Sequence, residues 1–126
     1  MVLFCARGRM KQTVNILGTE YEIFCLERKD DEHLKDFDGY CDAVSRFIVV
    51  RNFKDADDDA INVKDVEALQ KKVLRHEIVH AFLYESGLTV NANVWSGAWT
   101  KNEEMIDWFA IQGEKIYKVW QEANCL

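Results

Sequence analysis

Residues 63–86 place their apolar side chains at spacings of three and four without interruption: Val66, Leu69, Val73, Leu74, Ile78, Ala81 and Phe82. That period lines one face of an α-helix and predicts a single long helix ending at Gly87, where a C-cap is expected. A helix of this length in a chain of 126 residues needs a partner surface for its stripe. A second periodic stretch, about 100–122, offers Met105, Trp108, Phe109, Gln112, Ile116 and Val119 as its buried face. The chain has no proline, so its turns fall to Gly, Asn and Asp.

Upstream of the helices the pattern changes. Residues 13–17 and 21–26 are rich in β-branched and aromatic residues and flank Gly18-Thr19, which predicts two short strands joined by a turn. Residues 29–42 are polar and read as a surface segment with a short helix around Glu32 to Phe37. Residues 47–50, Phe-Ile-Val-Val, form a compact apolar run suited to a strand. Residues 55–59 read as an acidic, solvated loop. Strands followed by helices predict an α+β chain, and no linker or repeat divides it, so residues 1–126 are read as one domain. With 48% hydrophobic and 12% aromatic residues there is enough apolar material for one core.

The first helix carries His76-Glu77-Ile78-Val79-His80, an H-E-x-x-H pattern. Residues four apart stack on one helix face, so both imidazoles can reach a single zinc ion. Glu77 follows the first histidine and can reach a zinc-bound water, taking its proton and passing it to a leaving amine. A solvated helix face is the plain alternative. Two of the chain's three histidines fall here, among Val73, Leu74, Ile78, Val79, Ala81 and Phe82, and polar groups in such surroundings need partners. The third, His33, lies in the polar segment and reads as an ordinary surface residue.

An open zinc site takes three protein ligands. The second helix opens with Asn102-Glu103-Glu104-Met105-Ile106-Asp107. Glu103 is the expected third ligand, and Asp107, four residues on, is the expected acceptor for a ligating imidazole N–H. Glu103 leads down the helix to Asp107 and Ala110, a small polar seam, whereas Glu104 leads to Trp108 on the apolar stripe. Thr100 to Glu103 also fits a capping box, which would leave Glu103 only closing the helix start. Tyr84, one turn after His80, and Tyr40, in Asp38-Gly39-Tyr40-Cys41-Asp42, are candidate oxyanion donors, with ordinary packing as the alternative for each.

HEIVHAFLYESGL followed by NEEMIDWFA resembles the gluzincin arrangement, in which a glutamate on a later helix completes the zinc site. The chain is similar to the minigluzincins, including ImmA/IrrE-like metallopeptidases, and to small metallopeptidase-like proteins encoded in prophages of Gram-positive bacteria. The resemblance covers roughly residues 38–112; the residues read here offer no DNA-binding or sensor segment of the kind those proteins carry, so a repressor-cleaving role is not expected of this chain acting alone. It implies a small zincin fold: a three- or four-stranded sheet packed on an active-site helix and a glutamate helix. It also implies that the strand before the active-site helix is an edge that receives a substrate peptide; residues 47–50 are the candidate, with an ordinary buried strand as the alternative.

The expected function is hydrolysis of peptide bonds by a zinc-activated water with Glu77 as general base. The alternative is a zinc-binding regulatory or interaction protein that cleaves nothing, for which an intact Glu77 would have no purpose. A net charge of −6 argues against a nucleic-acid partner and leaves room for a basic peptide. No stretch is long and apolar enough to span a membrane, and the N-terminal residues lack the charge-first order of a secretion signal. The four cysteines form no C-x-x-C pair, so a cytoplasmic protein with reduced thiols is expected.

Overall fold

The computed structural model describes residues 10–53, 65–89 and 102–126, the side chains of Met10, Glu103, Ile106 and Asp107 excepted. It is an α+β fold: a four-stranded mixed sheet with two helices on one face. Strand β1, Met10–Ile16, and β2, Thr19–Leu26, form the predicted antiparallel hairpin. Its two-residue turn places Leu17 at φ 51° and Gly18 at φ 93°, the left-handed values a tight hairpin requires. The Gly18 N–H donates to Asn15 Oδ1 at 2.8 Å.

Strands β3, Gly39–Asp42, and β4, Phe47–Arg51, make a second antiparallel hairpin. The two hairpins meet where β2 runs parallel to β4, giving the order β1-β2-β4-β3. Two expectations are corrected here. The strand 47–50 is interior, paired on both sides, and cannot be the receiving edge. Residues 39–42, expected to be surface loop, form the edge strand beside it. The expected short helix around Glu32 to Phe37 is present as a 3-10 helix, Glu32–Lys35, preceded by a second, Arg28–Asp30.

Helix α1, Val66–Glu85, starts three residues later than the periodicity suggests because Asp65 caps it, accepting the Ala68 N–H at 2.9 Å. Gly87 closes it at φ 81°, as expected, its N–H donating to the Tyr84 carbonyl at 3.0 Å. Leu74, Ile78, Ala81 and Phe82 are fully buried against Val14, Ile16, Tyr21, Ile23, Ile48 and Val50, the residues that alternate toward that face of the sheet. Burying a side chain of this size stabilises by about 1.5–3 kcal/mol, so this interface dominates the core.

Helix α2, Glu103–Glu122, is capped by Asn102, whose Oδ1 accepts the Met105 N–H at 2.9 Å. The cap is therefore Asn102 rather than the Thr100 capping box, and Thr100 lies outside the described residues. Ile116 and Val119 are buried and Trp108 packs beside them, but Phe109, expected in the stripe, is 49% exposed. The helices run antiparallel. Trp108 Nε1 donates to Ser86 Oγ at 3.0 Å near one end, and Arg75 donates to the Cys125 carbonyl at 2.7 Å near the other.

The opposite face of the sheet carries a smaller cluster, Leu26, Leu34 and Val49 with Phe24, Tyr40 and Phe47. The segment over it is tied down by Arg28 Nε donating to the Leu34 carbonyl at 2.7 Å and by the buried Arg51 paired with Asp38 at 3.5 Å. Cys41 and Cys125 are free thiols. No helix among the described residues is long and apolar enough to cross a membrane.

A side chain at position 39 has no room. A Cβ there would lie 2.6 Å from Val73 Cγ1 and 3.0 Å from the Val49 carbonyl oxygen. Gly39→Ala is expected to destabilise the protein by about 1–3 kcal/mol, the usual range for overpacking. Urea unfolding of the two proteins measures it; an unchanged midpoint would refute the close approach.

Candidate metal and catalytic site

The turn of α1 from His76 to His80 faces partly outward and partly toward β3. His76 and His80 are exposed and stack one above the other, ring centroids 4.8 Å apart and planes 70° apart. Their Nε2 atoms stand 3.1 Å from each other. Two nitrogens bound to one tetrahedral ion at the usual distances are separated by about 3.3–3.4 Å, so the pair fits two corners of a zinc site with little adjustment. His80, exposed overall but with its ring partly desolvated against the fold, is held below its ordinary imidazole value first by that desolvation and then by the neighbouring His76. That favours the neutral ring, the form that binds metal.

Glu77 lies a third of a turn round from His76 and is 7% exposed. Its stem meets β3 at Gly39, where a Cβ would stand 3.4 Å from Glu77 Cγ. The missing side chain at 39 is what lets the carboxyl lie between helix and strand. Burial pushes its pKa up to about 7. A carboxyl poised near neutral pH beside the His76 and His80 rings can both accept and donate a proton. Cys41, two residues along β3 on the same face, is pushed up to about 12 by burial first and by the Glu77 charge second.

The remaining expected residues divide. Among the described residues, no three His, Cys, Asp or Glu side chains gather to hold a metal. Glu103 is the first residue of α2 and Asp107 follows four residues later, but both side chains lie outside those described. Glu104 is exposed. Tyr84, one helical turn after His80, is half-buried. Tyr40 is not brought to the site. Gly39 and Cys41 face α1, so Tyr40 points to the other side of the sheet, where its hydroxyl donates to the Asp31 carboxylate. Burial first, and then that hydrogen bond, hold the phenol above its ordinary value. The oxyanion role expected of Tyr40 is therefore withdrawn. His33 is exposed, as expected.

The residues that sequence reasoning missed are Gly39 and Cys41. Their signal was the alternation in Gly39-Tyr40-Cys41-Asp42 of small, aromatic, small and acidic residues, masked by the acidic run before it.

Compared with known proteins, the chain matches no family model, no curated protein and no solved structure.

Glu77 also fixes a pH dependence for the metal-free protein. Its folded pKa is raised above the ordinary 4.5 to about 7. The neutral carboxyl is the form the fold favours. Its contribution is complete below about pH 4.5 and is lost as the pH rises through about 7. Chelator-treated wild type should lose stability across that window, and Glu77→Gln should lose less. Parallel melting curves from pH 4 to 8 in both proteins would disprove the burial argument.

Proposed function

We propose that this chain is a zinc-dependent peptidase of the small zincin kind, resembling the minigluzincins. The observation that carries the reading is the meeting of His76 and His80 Nε2 3.1 Å apart beside a buried Glu77 carboxyl. His76 and His80 would hold the ion, with Glu103 as the third ligand and Asp107 orienting an imidazole. When bound, zinc supplies Lewis acidity toward a peptide carbonyl and lowers the pKa of the attacking water.

The chain's own residues account for the rest. Glu77 accepts the proton of the attacking water and returns it to the departing amine. The strand that receives the peptide is β3, which lies against Glu77 and whose outer side pairs with nothing among the described residues. An extended peptide joining that edge by backbone hydrogen bonds would pass alongside the histidines. A zinc-binding protein without catalysis has no comparable use for a carboxyl buried at this position.

Purified protein is expected to bind one zinc per chain, and His76→Ala to abolish binding. Glu103→Gln should weaken binding strongly while Glu104→Gln should not, and Asp107→Asn should cost about 10–100-fold in affinity or activity. Elemental analysis and zinc titration read these outcomes; damage from Glu104→Gln alone would move the ligand by one residue. Glu77→Gln should keep its zinc and lose cleavage of a broad peptide library. Equal cleavage by both proteins would defeat the proposed role of Glu77.

A further inference from the structure

The phase of the β3–β4 ladder is fixed by the Arg51 N–H, which donates to the Asp38 carbonyl at 2.9 Å. Hydrogen-bonded pairs alternate along an antiparallel ladder, so Tyr40 and Asp42 bond to β4 while Gly39 and Cys41 turn their main-chain groups outward. A peptide strand added at this edge therefore bonds to Gly39 and Cys41. Its residue between those contacts lies opposite Tyr40, with its side chain on the face away from α1.

On that face the sheet already shows what it places in such a position. One row across the strands reads Lys11, Phe24, Val49, Tyr40 in register. The adjacent row reads Glu22, Phe47, Asp42. The two rows are symmetric about β4: an aromatic ring on either side in the first, a carboxylate on either side in the second. At the β1 end the pattern is completed by Lys11, whose Nζ lies 5.9 Å from the Phe24 ring centre and 3.2 Å from Glu22. At the β3 end the matching ring is Tyr40, with the His33 ring 5.2 Å from it between centres, and the matching carboxylate is Asp42; no described strand supplies the position corresponding to Lys11.

We infer that the peptide received by β3 carries a lysine or arginine opposite Tyr40, an inference that rests on β3 being the receiving edge. The cation lies against the Tyr40 ring and beside the Asp42 carboxylate, as Lys11 does with Phe24 and Glu22. Asp42 is held charged there: the Ser45 N–H donates to it at 2.9 Å, and His33 sits near enough to favour the anion. The net charge of −6 favours the same class of partner over the whole molecule.

The test is affinity selection of a proline-free decapeptide library, randomised at every position, on zinc-loaded Glu77→Gln protein, which should hold peptides without cutting them. Retained peptides should be enriched about tenfold in Lys or Arg at one position. Asp42→Asn keeps an acceptor for the Ser45 N–H and removes the charge, so it should abolish the enrichment with zinc content unchanged. Retention without a basic preference, a preference that survives Asp42→Asn, or no retention at all would overturn the inference. Cleavage by wild type is read separately. Basic peptides retained but never cut would defeat the hydrolase reading alone, and cleavage indifferent to basic residues would defeat this inference alone.

Discussion

The approach of α1 to the edge of the sheet at Gly39 is the contact on which the site depends. Val73 and Glu77 both lie against that residue, one apolar and one ionisable. The apolar contact belongs to the packing of helix on sheet, worth several kcal/mol over the whole interface. The polar one carries a cost, because a carboxyl taken from water disfavours its charge. Core burial elsewhere on α1, by Leu74, Ile78, Ala81 and Phe82, is what holds Glu77 in so unfavourable a place. Stability supplied by one stripe of the helix is thus spent on chemistry at its margin.

Much of this was legible in the sequence, for reasons specific to each element. The period of α1 and Gly87 at its end predicted the helix and its C-cap because both are local signals. The first hairpin was readable because Gly18 sits between two β-rich runs. Strand β3 was not, since its four residues include Gly and Asp, and edge strands are held by one neighbour rather than by their own propensity. The place of residues 47–50 inside the sheet followed from that omission: without β3, the strand looked like an edge. Phe109 was assigned to the buried stripe of α2 because it adjoins Trp108, but the buried face centres on Ile116 and Val119 and leaves Phe109 outside it.

The chemistry was legible only as far as one helix. The four-residue spacing of His76 and His80 dictates that their rings share a face, and the structure brings their nitrogens together. The burial of Glu77 could not be read from spacing, because it depends on a strand nearly forty residues upstream. Tyr40 failed as an expectation for the same reason. Which face a strand residue occupies is set by register, and register is a property of the assembled sheet.

The sheet consists of two local hairpins joined along a single parallel seam between β2 and β4. Each hairpin can close over a few residues, but the seam brings together segments about 25 residues apart and cannot form until the chain between them is ordered. Helix α1 spans that seam, covering Ile23 from one hairpin and Ile48 and Val50 from the other. The seam is therefore the long-range closure of the sheet, and seam and helix support one another through the same buried residues.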